Sequence, residues 1–320
     1  METILVTGGA GFIGSHVCDR LISEGKKVIC IDNLDPYYPP ERKLKNISLN
    51  MNNPNFEFIE TDITKKDELA QIFKKNKIDK IVHLAARAGV RASILNPLLY
   101  KETNIGGTLN LLELAKENDV ANFVFASSSS VYGENSKIPF SEDDRTDCPV
   151  SPYAATKKAC ELFCYTYSRL AGLNITCLRF FTAYGPRGRP DMAPYLFTKN
   201  ITEGKQIQRF GDGRSKRDYT YISDIVSGVV SALDKKFKFE IINLGNSKTA
   251  ELNEFIRLIE RMAGKKADIK QMPMQKGDVP ATYADISKAK RLLGWEPKVS
   301  LEEGMKKFID WYNKEALDGI

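Results

Sequence analysis

The sequence is poor in the residues that build metal sites and has no long apolar runs. It has two histidines, His16 and His83, and six cysteines that include no CxxC pair, so we expect no metal site. No apolar run approaches the ~18–20 residues that a membrane span requires. No basic leader with an apolar stretch precedes the first strand-like segment, so we expect no secretory signal. We expect the cysteines to be reduced, in a cytoplasmic protein.

The excess of positive charge is small and dispersed. The chain has 47 Lys and Arg against 41 Asp and Glu, a net charge of +6. Lysine pairs are scattered along the chain, whereas a nucleic-acid footprint is concentrated on one face. We therefore expect no nucleic-acid partner, and the mild positive bias suits a di-anionic small molecule.

Strand-like and helix-like segments alternate through the first 181 residues. Apolar, β-branched runs at 4–7, 27–32, 56–60, 80–84, 122–127 and 175–181 predict strands. The segments 11–25, 67–76, 96–118 and 151–172 between them predict helices. Strict alternation with apolar strands is typical of an α/β fold with a doubly wound parallel sheet.

The rhythm changes after residue 181, where prolines and glycines crowd positions 185–190. We predict a dinucleotide-binding domain of residues 1–181 plus about 221–245, whose last helix and strand rejoin the sheet. Residues of about 182–220 and 246–320 are predicted to form a smaller, mixed α/β substrate-binding domain. Ligands of open α/β sheets lie beyond the carboxyl ends of the strands, so the substrate is expected between the two parts.

A glycine-rich turn follows the first strand and opens the first helix. Its glycines, Gly8, Gly11 and Gly14, allow a tight turn and a close approach of a pyrophosphate to the helix N-terminus. Asp32 ends the next strand, at the distance of the acidic residue that binds the adenosine ribose hydroxyls. A carboxylate there repels a 2′-phosphate, and no arginine follows until Arg42, so the sequence predicts NAD rather than NADP.

Two further strand ends are consistent with a cofactor site. Small residues in Leu84-Ala85-Ala86 let a cofactor lie against the backbone, and Asp62-Ile63 ends the third strand, where the adenine is expected. The neighbouring His83 is interpreted as structural, because a lone histidine beside a strand end is more often a satisfied core residue.

A run of four serines, 127–130, precedes a tyrosine and a lysine four residues apart, Tyr153 and Lys157. Residues four apart on a helix share a face. An adjacent ammonium favours the ionised phenol and lowers its pKa from an ordinary value near ~10. A serine hydroxyl beside the pair can relay or donate a proton. This set predicts proton transfer on and off a sugar or alcohol hydroxyl.

With these motifs in place, the chain resembles the extended short-chain dehydrogenase/reductase family, and within it the NAD-dependent UDP-sugar 4-epimerases. The resemblance covers essentially the whole chain, through TGGAGFIG, HLAA, SSSSVYG, SPYAATKKA, LRFFTAYGP, RDYTYISD and LLGWEPKVSLEEG. It implies that Tyr153 takes the proton from the sugar O4 while C4 gives a hydride to a tightly bound, regenerated NAD. Lys157 would bind the nicotinamide ribose, and Ser128 would relay or orient the O4 proton.

The resemblance also implies the remaining contacts. The cofactor-binding set is Gly8, Gly11, Phe12, Ile13, Gly14, Asp32, Asn33, Asp62, Ile63, Leu84, Ala85, Ala86, Asn104, Tyr153 and Lys157. The UDP-sugar-binding set is Arg87, Ser129, Ser130, Thr182, Arg189, Gln208, Arg217, Gln275, Asp278 and Thr282. Arg217 matches the family's diphosphate-binding arginine, a role that suits a forked guanidinium. Gln275 replaces a second arginine of many members, for which Arg189 is a candidate substitute.

The serine run separates neighbouring reactions of the family. The 4,6-dehydratases carry an Asp-Glu pair at the positions of Ser129 and Ser130, and the glucuronate decarboxylases carry glutamate at Ser130. Neither carboxylate is present, so the resemblance implies 4-epimerisation without elimination. A non-catalytic NAD-binding regulator is a distant alternative, because such relatives typically lose the tyrosine, the lysine or the serine.

The sugar is less clearly specified. Ala92 and Thr282 stand where bulkier side chains close the pocket of some relatives, which favours UDP-N-acetylglucosamine and UDP-N-acetylgalactosamine, with UDP-glucose and UDP-galactose also accepted. The strings AARAGVRAS and YGPRGRPDMAP instead resemble the UDP-glucuronate 4-epimerases. That substrate is the alternative. The helices at 96–118 and 152–171 are candidates for a homodimer interface like that of relatives.

Overall fold

The computed structural model describes residues 1–135, 137–274 and 279–317. The strands are β1 Thr3–Thr7, β2 Lys27–Asp32, β3 Phe56–Glu60, β4 Lys80–His83, β5 Asn122–Ser128, β6 Ile175–Phe180, β7 Thr182–Tyr184, β8 Ile207–Phe210, β9 Lys216–Tyr221, β10 Phe239–Leu244, β11 Thr249–Glu251 and β12 Ile269–Met272. The α-helices are α1 Phe12–Ser23, α2 Pro40–Ile47, α3 Lys66–Lys75, α4 Val90–Leu95, α5 Pro97–Tyr100, α6 Gly107–Glu117, α7 Pro152–Ala171, α8 Ala193–Thr202, α9 Ile222–Asp234, α10 Leu252–Ala263, α11 Ser287–Leu293 and α12 Leu301–Leu317.

Seven of these strands form one sheet in the order β3-β2-β1-β4-β5-β6-β10. All the pairings are parallel. The central strands β4, β5 and β6 are buried along their whole length, because helices cover both faces, and this explains their continuous apolar runs. Residues of α3, α6 and α7 pack on one face, and residues of α1 and α9 pack on the other. The predicted fold class, a doubly wound parallel sheet, is confirmed.

The chain after β6 builds two small sheets, β11-β9-β7 and β12-β8. Strand β10 returns to the large sheet and pairs with β6, with Phe239 opposite Ile175. The exact domain boundaries stay a prediction. None of the described helices is long and apolar enough to cross a membrane.

The segment 96–118, predicted as a single α-helix, forms three consecutive helical pieces. It consists of α5, a π-helical turn at Lys101–Gly106, and α6. The wider turn contains Asn104, whose buried side chain makes three hydrogen bonds outside this helix. Single-turn π segments are frequent at functional sites, and here the turn holds an amide against the strand-end segment that starts at Arg87.

Candidate active site

A cavity of ≈ 250 Å³ lies at the carboxyl ends of the central strands. It brings together most of the predicted cofactor residues, both members of the Tyr–Lys pair, and two arginines. The sequence-predicted residues that line it are Gly8, Gly11, Phe12, Ile13, Gly14, Asp32, Asn33, Ile63, Leu84, Ala85, Ala86, Arg87, Tyr153, Lys157 and Arg189. The single cavity therefore joins the NAD motif to the proton-transfer pair.

The glycine-rich turn fits a dinucleotide closely. Gly8 has φ +66°, and a Cβ there would lie 2.8 Å from the backbone of Ala85. A Cβ on Gly14 would lie 2.1 Å from the carbonyl oxygen of Gly8, so helix α1 can begin directly against the turn. Only glycines allow this packing, which leaves the backbone at the start of α1 bare for a pyrophosphate.

Asp32 has a partner that the sequence patterns did not predict. The Nζ of Lys43, at the middle of α2, lies 3.3 Å from Asp32 Oδ1, and both side chains are buried. The same oxygen accepts the backbone N–H of Leu34 at 2.9 Å. Lys43 also lines the cavity, so a carboxylate and an ammonium together face the expected adenosine ribose. No sequence motif singles out Lys43, because only the fold of 33–43 returns it to Asp32.

Tyr153 lies on α7, close to the Ser128 hydroxyl at the end of β5. Burial raises the pKa of Tyr153, whereas the nearby Ser128 hydroxyl and the positive charge of Arg189 act to lower it. Ser128 does not itself line the cavity, but its hydroxyl also accepts the backbone N–H of Ser130 at 3.2 Å. A role of Ser128 in proton transfer to or from Tyr153 stays a prediction.

Lys157 behaves differently from the expectation for an i, i+4 neighbour. Its Nζ donates to the carbonyl oxygen of Ala126 at 2.7 Å and lies over the ring of Phe125. Burial lowers the pKa of Lys157 to about 8, and Arg189 is the cation whose charge lowers the pKa of Tyr153. The predicted effect of Lys157 on the phenol pKa stays a prediction; in this structure the lysine side chain runs to strand β5.

Arg189, predicted from the sequence as a UDP-sugar ligand, lines the cavity. Its Nε and Nη2 donate to the two carboxylate oxygens of Asp191, at 3.0 and 2.6 Å. The guanidinium lies over the ring of Tyr37, 5.3 Å from the centroid, and the Tyr37 hydroxyl also donates to Asp191 at 2.9 Å. Asp191 and the Tyr37 ring thus fix a guanidinium in the cavity near Tyr153.

Several predicted site residues lie outside the cavity lining. The Asn104 side-chain amide is hydrogen-bonded to the backbone of Arg87 and to the Thr156 hydroxyl, so it stabilises the segment that follows β4. Asp62 accepts a hydrogen bond from Asn33. Among the described residues, Ser129, Ser130, Thr182, Gln208, Arg217 and Thr282 do not line the cavity either. Gln275 and Asp278 lie outside the described residues.

His83 is bonded as a core residue. Its Nδ1 lies 2.7 Å from the hydroxyl of Thr7 and its Nε2 lies 2.9 Å from that of Thr108. The ring is fully buried, and burial lowers the pKa of His83 to about 3. This geometry supports the structural interpretation of His83.

The depressed pKa of His83 predicts a pH dependence of stability. Between pH 3 and 6.5 the unfolded chain binds the proton more tightly than the folded one, so this contribution to stability is full above pH 6.5 and is lost as the pH falls towards 3. The loss amounts to a few kcal/mol, about 1.4 for each pKa unit. His83→Gln should flatten the change in urea midpoint between pH 6.5 and 4.5. His16→Gln should flatten it by a similar amount, because the pKa of His16 falls to about 4 and both folded-state pKa values lie below this window; an unchanged pH dependence in His83→Gln would contradict the prediction.

Comparison with known proteins agrees with this geometry. The family model described as GDP-mannose 4,6 dehydratase matches residues 5–308. A UDP-glucuronate 4-epimerase of Thermodesulfobacterium geofontis is 50% identical, over 100% of this chain and 98% of the relative. The Bacillus cereus UDP-glucuronic acid 4-epimerase, solved with UDP-glucuronic acid and NAD, has a TM-score of 0.93 at 40% identity and covers 98% and 99% of the two chains. A UDP-N-acetylglucosamine 4-epimerase of Methanobrevibacter ruminantium has a TM-score of 0.89 at 32% identity, over 98% and 99%.

A Rossmann sheet with a dinucleotide turn and a Ser–Tyr–Lys set at the strand ends defines a short-chain dehydrogenase/reductase of the extended type. The cofactor is NAD, as predicted, and solved relatives hold it. The chain belongs to the NAD-dependent UDP-sugar 4-epimerases of that family. Although the matching family model carries a dehydratase description, Ser129 and Ser130 supply no carboxylate for elimination of water.

Proposed function

We propose that the protein is a UDP-glucuronate 4-epimerase, which interconverts UDP-glucuronate and its C4 epimer, UDP-galacturonate. The observation that carries the proposal is the Arg189 guanidinium in the cavity beside Tyr153. Asp191 uses the Nε–Nη2 edge of the guanidinium. Among the described residues no hydrogen-bond partner of Nη1 is found, so the Nη1–Nη2 edge can bind a second carboxylate in the same forked geometry.

The chemistry of the sugar places its carboxylate on the correct side. Tyr153 must reach O4, and the C6 carboxylate of a glucuronate is two bonds from C4. A carboxylate held by Arg189 therefore lies next to the oxygen that Tyr153 deprotonates. Aspartate at 191 keeps the arginine charge partly neutralised until substrate arrives, and the similarity to the Bacillus cereus enzyme supports the same sugar class.

The alternative sugars have less structural support. Ala92 lies on α4, and the Thr282 hydroxyl accepts the backbone N–H of Asp218 at 3.4 Å. Neither lines the cavity among the described residues, so the argument from a roomy pocket loses its two main positions. UDP-N-acetylhexosamines and UDP-hexoses remain substrates to be tested. UDP-glucose is an informative comparison, because it differs from UDP-glucuronate only in carrying a hydroxymethyl group in place of the carboxylate.

In the proposed mechanism the chain moves one proton and holds the sugar. NAD, when bound, supplies the oxidation of C4 and its reversal. Tyr153 accepts the O4 proton, with Ser128 as its hydrogen-bonded relay, and returns the proton to O4 once the 4-keto sugar has presented its other face. Lys157 is held by Ala126 at the strand end, where it would bind the nicotinamide ribose, and Arg189 would hold the sugar carboxylate away from Tyr153. A general acid–base step of this kind contributes about 10²–10⁴-fold to rate.

The test is direct. The purified protein is incubated separately with UDP-glucuronate, UDP-glucose and UDP-N-acetylglucosamine, and the C4 epimers are resolved by chromatography. We expect UDP-glucuronate to give a mixture with UDP-galacturonate, with a kcat/KM at least about 100-fold above that for the uncharged sugars, because a bidentate charged pair contributes several kcal/mol. A higher kcat/KM for UDP-N-acetylglucosamine would overturn the proposal, and no conversion of any UDP-sugar would favour the NAD-binding regulator.

We also propose that the protein is a homodimer. Helices α4, α5 and α7 pack together, and they carry an exposed apolar patch made of Ile94, Leu95, Leu98, Leu99, Leu162 and Tyr165. Monomeric proteins rarely leave such a patch uncovered, and two copies joined face to face would pair these helices across a two-fold axis.

The dimer proposal predicts an effect of charge in the patch. Leu98, 79% exposed, becomes buried on dimerisation, so Leu98→Asp should shift the sedimentation coefficient from dimer to monomer. Leu49→Asp is the matched control, because Leu49 is 84% exposed and lies on the Ser48–Asn50 turn, which belongs to none of these helices. A monomeric wild type, or an equal shift with the control, would contradict the prediction.

A further inference from the structure

A fully buried ion pair lies directly behind the serine run. Arg179 on β6 donates from Nε and Nη2 to the two carboxylate oxygens of Glu161 on α7, both at 2.8 Å. Each side chain is 1% exposed. The Ser127 hydroxyl, on β5, donates to Glu161 Oε1 at 2.6 Å. The Glu161 carboxylate therefore joins two neighbouring strands to the helix that covers them.

The three elements that meet at Glu161 carry the proton-transfer set. Ser127 immediately precedes Ser128, while Glu161 is one helical turn after Lys157 and two turns after Tyr153 on α7. The contact between Ser128 and Tyr153 thus depends on how β5 and α7 are placed along each other. The side chains that pack between these elements include Cys160, Cys164 and Cys177, which are small and soft and do not fix a sliding distance as directional hydrogen bonds do.

Stability alone is a weak reason for this pair. Burying two charges costs several kcal/mol for each ion, and apolar replacement of a buried ion pair is often neutral or stabilising. Arg179 also keeps Nη1 without a hydrogen-bond partner among the described residues, while its guanidinium lies 4.7 Å from the centroid of the Tyr132 ring. An ion pair that is costly to desolvate, and whose guanidinium is not fully hydrogen-bonded, points to a role in positioning the two strands and the helix.

We propose that Glu161 and Arg179 are positioning residues for epimerisation, which act through Ser127 to fix the end of β5 against α7 and so to hold Ser128 beside Tyr153. This inference concerns proton transfer to any UDP-sugar, so it does not depend on the identity of the sugar. A displacement of about 1 Å in a catalytic contact can cost about 100-fold in rate.

Two sets of variants test the proposal. Ser127→Ala removes the hydroxyl that joins β5 to Glu161 at the wall of the cavity, and Ser127→Thr restores a hydroxyl. The double variant Glu161→Leu with Arg179→Met replaces the ion pair by apolar side chains, which should leave the thermal unfolding temperature unchanged or raise it. Asn122→Ala is the matched control for stability, because Asn122 lies at the opposite end of β5 and its amide donates to the carbonyl oxygens of Ala232, Leu233 and Lys235.

Measurements of kcat, KM, UDP affinity and the pH profile distinguish a positioning role from a purely structural one. We expect kcat to fall about 10-fold in Ser127→Ala and about 100-fold in the double variant, with KM and the calorimetric affinity for UDP unchanged, and with kcat restored by Ser127→Thr. Because Ser128 lowers the pKa of Tyr153, the acidic limb of the kcat profile should move to higher pH. Arg189 and Tyr100 also face Tyr153 and Lys157 lies on its helix; these groups are unchanged in every variant.

Three results would overturn the proposal. The first is a wild-type kcat and pH profile in the double variant. The second is a fall in kcat in Asn122→Ala equal to that in Ser127→Ala, which would attribute the loss to lower stability. The third is a parallel loss of UDP affinity, which would place the effect in substrate binding.

Discussion

Tyr153→Phe should lower kcat for the preferred UDP-sugar about 1,000-fold, without loss of bound NAD. The phenol is the titratable hydroxyl whose pKa Ser128 and Arg189 act to lower, and phenylalanine cannot accept the O4 proton. The ring itself packs edge-to-face against Tyr100, with centroids 6.4 Å apart, and phenylalanine keeps that packing. Measurement of kcat, KM and NAD content on the purified variant checks the prediction.

Tyr100→Phe is the matched control for this variant. Tyr100 lines the same cavity, but its hydroxyl donates to the carbonyl oxygen of Ala88 at 2.9 Å and so has a local structural partner. We expect a change in kcat of less than about 10-fold, in line with the loss of one neutral hydrogen bond. If Tyr153→Phe kept a tenth of the wild-type kcat, or if the control lost as much, the assignment of Tyr153 as the acid–base group would be wrong.

Arg189→Met should lower kcat/KM for UDP-glucuronate by about 100–1,000-fold and that for UDP-glucose by less than about 5-fold. A bidentate charged pair is expected to contribute about 3–4 kcal/mol, and each 1.4 kcal/mol is a factor of ten. The two sugars differ at C6 alone, so the ratio of their kcat/KM values isolates the interaction with the carboxylate.

Two further variants control for indirect effects of Arg189→Met. Removal of Arg189 leaves the Asp191 carboxylate without its cationic partner, and its charge would repel the uronate, so the double variant with Asp191→Asn gives the better measure of the lost attraction. Arg187→Met removes a guanidinium from the same loop that pairs with Asp19, on α1, at 2.7 Å. It should leave the ratio unchanged. An unchanged ratio in both Arg189 variants would refute Arg189 as the carboxylate ligand and leave the sugar to be decided by the substrate comparison.

The sequence by itself predicted the elements whose signals are local or periodic. The alternation of apolar strands and amphipathic helices predicted the parallel sheet, and the glycine spacing with Asp32 predicted the dinucleotide site, because both patterns follow from backbone geometry over a few residues. The rule for residues four apart correctly placed Tyr153 and Lys157 on one helix. It did not predict that Lys157 would extend to Ala126, since that choice depends on the strand beneath the helix.

Tertiary structure determined which charged side chains meet at the pocket. Tyr37 and Asp191 are 154 positions apart, Glu161 and Arg179 belong to different layers, and Lys43 returns to Asp32 only through the fold of the intervening loop. No local pattern encodes such meetings, because they depend on where the chain crosses itself after the sheet has formed. The chemistry of a hydroxyl proton and a hydride was therefore present in the sequence motifs. Arg189 was already a substrate-binding candidate in the sequence, but its place in the same cavity as Tyr153, on which the proposed carboxylate-bearing sugar rests, depends on the fold.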